Sequence, residues 1–302
     1  MGSQLGWRLR PRNPIVAYDD IAANPDDLER SIQYMTTPAP DSSAFVRAFR
    51  TASAESGPDL PRNDLKDYLE KMQNFESAHA DDVFLDQSLY PTLISTFKRL
   101  DRVQNLVGYG NFNVISFDDM LKFSSSYSSV GAFPKNELDF LDEQFSVDAT
   151  EYGFLGAKVI TRMTAVIPER EIVKMPHTGH FLYKHDSVHF YKKVTNAVGP
   201  SLVLTSGIRG IVKQLHLFLA KTIQAKGNLS RASRSLAPPG HSYHGVGDFD
   251  VGKVGFGLRN FTSDFARTDE YKRLLDLGYV TMRYPQYNLL GVRYEPWHIK
   301  VV

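Results

Sequence analysis

Two short stretches near the end of the chain hold the residue types that metal-assisted hydrolysis uses. The first runs Ser242-Tyr243-His244-Gly245-Val246-Gly247-Asp248-Phe249-Asp250, and the second is Glu295-Pro296-Trp297-His298. His244, Asp250 and His298 supply two imidazoles and a carboxylate. That set can hold Zn²⁺ and leave a fourth position for water, the composition of a catalytic site rather than a closed structural one. Glu295, three residues before His298, stands where a carboxylate can take a proton from that water. Ser242 either hydrogen-bonds a substrate or caps a turn.

These residues need a scaffold, and the surrounding sequence predicts one. Ser201–Thr205 reads as a short buried strand running into Ser206-Gly207-Ile208-Arg209, then a helix from Ile211 to about Ala225. A polar stretch, Gly227 to Gly240, reads as a loop and candidate lid. Asp269 to Leu277 reads as a helix stopped by Gly278, and Tyr279–Arg283 and Val292–Val302 as closing strands. Upstream, Ala157–Ile167 and Glu171–Met175 read as strands and His185–Val198 as a helix. If the last strand is regularly pleated, Glu295 and His298 point to opposite faces, and Pro296 makes that regularity doubtful.

The front half has another texture. Residues 13–60 are punctuated by Pro14, Pro25, Pro38, Pro40 and Pro58, with short helices expected at Asp26–Met35 and Ser43–Ser53. Apolar residues at helical spacing predict helices over Asn63–Glu76, around Leu93 to Leu106, from Phe117, and over Asn136–Phe145, with a Ser-rich loop at Ser124–Gly131. Such stripes read as core. The division expected is a mainly helical domain of unknown role over residues 1–155 and a catalytic domain over 156–302. Mixed helices and hairpin-like strands make the fold α+β, with a small antiparallel sheet.

With 302 residues, 42% hydrophobic and 23% charged, the chain has ordinary globular composition. A formal net charge of +1 gives no field that selects nucleic acid. No apolar run reaches the ~20 residues that span a bilayer. The absence of cysteine excludes disulfides and thiolate metal sites. His185 and His189 share a helix face at i, i+4, but no Glu follows His185, so the H-E-x-x-H pattern is absent. With His177 and His180 they read as a solvated, His-rich segment.

The motifs resemble the VanY-type D,D-carboxypeptidases, within the lysostaphin, D-Ala-D-Ala peptidase and hedgehog group of zinc metallopeptidases. That family carries S-x-H-x-x-G-x-A-x-D, matched by Ser242, His244 and Gly247, and E-x-W-H, matched by Glu295, Trp297 and His298. It also carries S-G-Y-R followed by a Gln, here Ser206-Gly207-Ile208-Arg209 and Gln214. The likeness covers roughly residues 156–302. It implies zinc bound by His244, Asp250 and His298, and Glu295 as catalytic base. Arg209 would face the substrate and its developing oxyanion, with Gln214 and Ser242 near the substrate. It further implies action on peptidoglycan peptide stems, most simply release of terminal D-Ala. An endopeptidase, or a zinc-containing cell-wall-binding module without catalysis, are the alternatives. The location implied is periplasmic or secreted, with a leader that is not part of this sequence: Met1-Gly2-Ser3 and Arg8, Arg10 and Arg12 lack an apolar core.

One departure bears on the ligands. The family spaces its His and Asp by seven positions, whereas Asp250 follows His244 by six, with Phe249 near the usual Ala. Asp248 is therefore a rival ligand. Asp250 is preferred because it immediately precedes Val251 on the apolar strand, and the other Asp is expected to support the site or face solvent. For a terminal carboxylate on the substrate, the candidate cations are Arg209, Arg283 and Arg293.

Overall fold

The computed structural model describes residues 62–302. The helices expected at Asp26–Met35 and Ser43–Ser53 lie outside the described residues. The chain opens with α1 (Arg62–Gln73), then α2 (Tyr90–Val107), a short α3 (Tyr109–Phe112), α4 (Phe117–Ser126) and α5 (Lys135–Ser146). On α2 the predicted stripe Leu93, Phe97, Leu100, Val103 is buried, Pro occupies its first turn, and Gly108 at φ 84° ends it. Ser116 caps α4 by accepting a hydrogen bond from the Asp119 amide.

The remainder alternates strands and helices: β1 (Ile172–Lys174), β2 (Phe181–Tyr183), α6 (Asp186–Val198), β3 (Leu202–Ser206), α7 (Ile211–Gln224), α8 (Leu229–Ser235), β4 (Phe249–Lys253), α9 (Asp269–Asp276), β5 (Met282–Tyr284) and β6 (Glu295–Ile299). β1 and β2 form an antiparallel pair, and the other four strands an antiparallel sheet in the order β3-β4-β6-β5. The α+β reading with a small antiparallel sheet holds.

Helix α7 is the spine. Ile211, Val212, Leu215 and Leu219 pack into one core with Leu93, Leu100 and Val103 of α2 and Phe140 and Leu141 of α5. Phe218 joins a different cluster with Tyr152, Phe154, Tyr284 and Val292. A helix apolar on several sides has to be central. The sheet has its own core, where Leu204, Phe249, Val251, Trp297 and Ile299 meet Val194 and Val198 of α6 and Leu274 of α9. Burial of these side chains supplies most of the driving force, at about 1.5–3 kcal/mol for each large one.

Two expectations are corrected. Residues 157–167 form no strand. Their apolar run is spent on the turn before the site: the amides of Val159 and Ile160 both donate to the Gly240 carbonyl, and Ile160 packs against Gly245. The Gly227–Gly240 stretch is not an open loop. It contains α8, which Asn228 caps by accepting from the Arg231 amide. Arg234 of α8 is buried in a bidentate pair with Asp82, at 2.6 and 3.0 Å. A segment anchored in this way is a wall, not a lid.

Candidate metal centre

The sheet register brings the ligand candidates together. Asp250 on β4 pairs directly with His298 on β6, and Ser206 at the end of β3 pairs with Asp250 from the other side. Directly opposed residues project to the same face with Cβ atoms about 4.5–5.5 Å apart. His244 enters from a 3₁₀ turn, Tyr243–Gly245, just before β4. One ligand atom from each of His244, Asp250 and His298 can be chosen so that all lie within 4.8 Å of one another. All three residues are buried.

Each imidazole is oriented by a partner on its far side. His244 Nδ1 lies 2.8 Å from the Gly207 carbonyl, so it carries the proton and leaves the Nε2 lone pair facing Asp250 Oδ1 at 3.2 Å. Gly207 has to be glycine, since a Cβ there would stand 2.2 Å from the Phe181 carbonyl oxygen. His298 directs Nε2 to Asp248 Oδ2 at 3.1 Å and Nδ1 toward Asp250 Oδ1 at 3.5 Å. His244 Nε2 and Asp250 Oδ1 are buried with no hydrogen-bond partner. Two orphaned donors of electron pairs, facing one another beside a third, are what a bound cation satisfies.

Asp250 and Asp248 occupy different positions. Asp250 turns Oδ2 to Arg209 Nη2 at 2.8 Å and keeps Oδ1 between the imidazoles. Asp248 is used up elsewhere: Arg283 Nε and Nη2 donate to it at 2.7 and 3.1 Å, the Val301 amide at 2.8 Å, and His298 at 3.1 Å. It therefore holds His298 from behind.

Glu295 reaches the site because β6 is irregular. Tyr284 pairs with Glu295 and Met282 with Ile299, so four steps on β6 oppose two on β5. The surplus residues, with Pro296 among them, break the pleat that would have put Glu295 and His298 on opposite faces. Glu295 Oε2 comes 3.3 Å from His298 Nδ1.

The electrostatics follow from this packing. Burial penalises the charge on Asp250, but His244 and Arg209 outweigh it and hold its carboxyl well below the usual range. Burial, then the Arg209 charge, lowers the pKa of His244. At His298 burial opposes protonation, yet the Asp248 and Glu295 carboxylates raise its pKa to about 9. Tyr284 stacks edge-on against His298 at 5.0 Å, and its phenol is pushed up by burial and then by Glu295.

The site opens on a small cleft whose lining includes Arg209, Ser242, Glu295, Ser235, Ala237 and Arg293. Ser242 makes no cap bond with its side chain. Gln214 is not on the cleft wall. It donates to the Arg209 carbonyl at 2.7 Å and accepts from the Gly240 amide at 2.9 Å, so it fixes the loops that carry the site rather than touching a ligand. Nothing in the sequence distinguished those two uses. The cleft wall from α8 was missed for a different reason: the capping signal at Asn228 was passed over within a polar stretch. Among the described residues no other group of three or more His, Asp or Glu is placed to hold a metal.

Residues 185–302 match the family model described as VanY, D-alanyl-D-alanine carboxypeptidase. The matched segment is less than half of the chain. The match begins at the helix α6 and takes in every residue of the centre. Over this segment the chain is similar to peptidases that act on peptidoglycan peptides. Among solved structures it is similar to the LD-carboxypeptidase LdcB, with 25% identity over 45% of this chain and 67% of that one and a TM-score of 0.37. It is also similar to a mutant of the vancomycin-resistance D,D-pentapeptidase VanY in complex with Zn(II), with 21% identity over 48% and 86% of the two chains and a TM-score of 0.34. VanYB in complex with D-alanine-D-alanine gives 22% identity over 45% and 81%, again at 0.34. No curated protein matches the chain. No described helix is long and apolar enough to cross a membrane.

Proposed function

We propose that the segment matching the VanY model is a zinc-dependent D-alanyl-D-alanine carboxypeptidase, acting outside the cytoplasm on peptidoglycan stem peptides. The observation that carries this reading is the pair of orphaned buried atoms, His244 Nε2 and Asp250 Oδ1, facing His298 Nδ1 with Glu295 alongside. Zinc held by these three residues would polarise the scissile carbonyl and acidify a water. His244 is kept in the right tautomer by Gly207, and His298 by Asp248. Glu295 accepts the proton of the attacking water and returns it to the departing amine. Arg209, steadied by Ser206 and Asp250, places positive charge on the cleft wall where the carbonyl oxygen becomes negative. A purely binding zinc module has no need of Glu295 in that place.

The test is release of free D-Ala from a pentapeptide stem, followed with chelator-stripped protein and again after zinc is returned. Activity lost on stripping and restored by zinc is expected. Equal turnover by the stripped protein overturns the zinc assignment, and internal cleavage without free D-Ala moves the reaction to the endopeptidase class.

A further inference from the structure

Three arginines stand near the centre, and two are committed. Arg209 donates to Ser206 and to Asp250. Arg283 is paired with Asp248, donates to the Val302 carbonyl, lies over the Tyr243 ring at 3.8 Å, and is not part of the cleft lining. Arg293 differs from both. It lines the cleft and is only 6% exposed, yet among the described residues no carboxylate lies within ion-pair distance of it. Its Nη2 donates to the Phe261 carbonyl at 3.1 Å, and its Nε is buried without any partner. The guanidinium sits between two rings, 4.7 Å from the centroid of Phe75 and 5.0 Å from that of Trp297.

A buried guanidinium with an unused donor and no counter-charge is expensive unless an anion joins it. Its planar fork, held by aromatic stacking, is preorganised for a carboxylate. Trp297 connects it to the centre, since that residue immediately precedes His298 on β6. Ala237, Val292 and Trp297 give the same cleft an apolar wall. We infer that Arg293 binds the free terminal carboxylate of the substrate, with the two aromatic rings positioning its guanidinium. This inference rests on the carboxypeptidase reading and names the group that would restrict the enzyme to chain ends. Phe75 follows α1, so the segment after that helix helps to hold the Arg293 guanidinium.

The experiment compares two pentapeptide stems, one ending in D-Ala acid and one in D-Ala amide, with zinc-loaded protein. The wild type is expected to favour the acid by about 10- to 100-fold in kcat/KM, the range of a charged hydrogen bond to a buried group. In Arg293→Gln the acid-to-amide ratio should fall toward unity, chiefly through KM on the acid. Because the ratio is taken within each protein, a partial loss of folded enzyme cancels, and Arg293→Met serves if the Gln variant does not fold. A wild type that releases D-Ala from the acid and D-alaninamide from the amide equally fast overturns the inference without any variant. An unchanged ratio in the variants overturns it as well, while leaving the carboxypeptidase reading intact. A zinc-loaded wild type that removes the terminal residue from neither stem removes that reading, and the inference with it.

Discussion

Glu295 and Asp248 are both carboxylates touching His298, yet their surroundings give them separate work. Glu295 Oε2 lies 3.3 Å from Nδ1, the imidazole nitrogen turned toward Asp250. Glu295→Gln keeps the shape and should leave zinc content unchanged while lowering turnover by roughly 10²–10⁴, the usual worth of general acid–base catalysis. Parallel metal analysis and kinetics check this, and joint loss of zinc and activity would make Glu295 a ligand. Asp248 is completely buried and serves Arg283, His298 and a backbone amide together. Asp248→Asn should weaken zinc binding by about 10- to 100-fold through the freed imidazole. It should also destabilise the fold, because Arg283 loses its counter-charge. Asp250→Ala should abolish zinc binding outright. A zinc titration of the two variants ranks them, and the opposite order would make Asp248 the ligand.

The elements around the centre are held by pairs remote in sequence. Asp82 precedes α2, Arg234 belongs to α8, and their side chains are 2% and 5% exposed. Although burial opposes its charge, bonds from Arg234 and Asn228 lower the Asp82 pKa to about 2. Because the folded value lies below the unfolded one, this pair stabilises above about pH 4, and the contribution is lost as pH falls toward 2. Asp82→Ala should cost about 3–5 kcal/mol at neutral pH, as expected when one partner of a buried pair is removed. Denaturant unfolding measures it, and a loss below about 1 kcal/mol would show the pair to be incidental. None of this was legible in the sequence, where Asp82 and Arg234 lie 152 positions apart. The helices α2, α4, α5 and α7 were legible, because their apolar stripes are strictly periodic. The candidate ligands were also legible from two short motifs. The shape of β6 was not, since a proline signals irregularity without saying which way Glu295 turns. The apolar run at 157–167 misled for a related reason: β-branched residues pack equally well on a turn that offers no strand to pair with.

On the scale of the whole molecule, the segment that matches the VanY model does not stand alone in space. Its helix α7 shares a core with α2 and α5, and Arg293 is stacked by Phe75 from the segment after α1. The family match covers residues 185–302, but the centre borrows support from residues before it. Metal should therefore stabilise more than the sheet. Zinc in hundredfold excess over its dissociation constant should add about 2.7 kcal/mol to folding, and chelation should lower the melting temperature accordingly. Calorimetry with and without chelator reads the shift, and identical melts would mean that no ion is bound.

The central claim is a cation held by His244, Asp250 and His298, and crystallography of zinc-loaded protein at the zinc absorption edge addresses it directly. One anomalous peak is predicted, at about 2.0–2.2 Å from His244 Nε2, Asp250 Oδ1 and His298 Nδ1, with Glu295 beside it and unbound. A difference map with no peak there, or a peak coordinated by Asp248 in place of Asp250, would contradict the account.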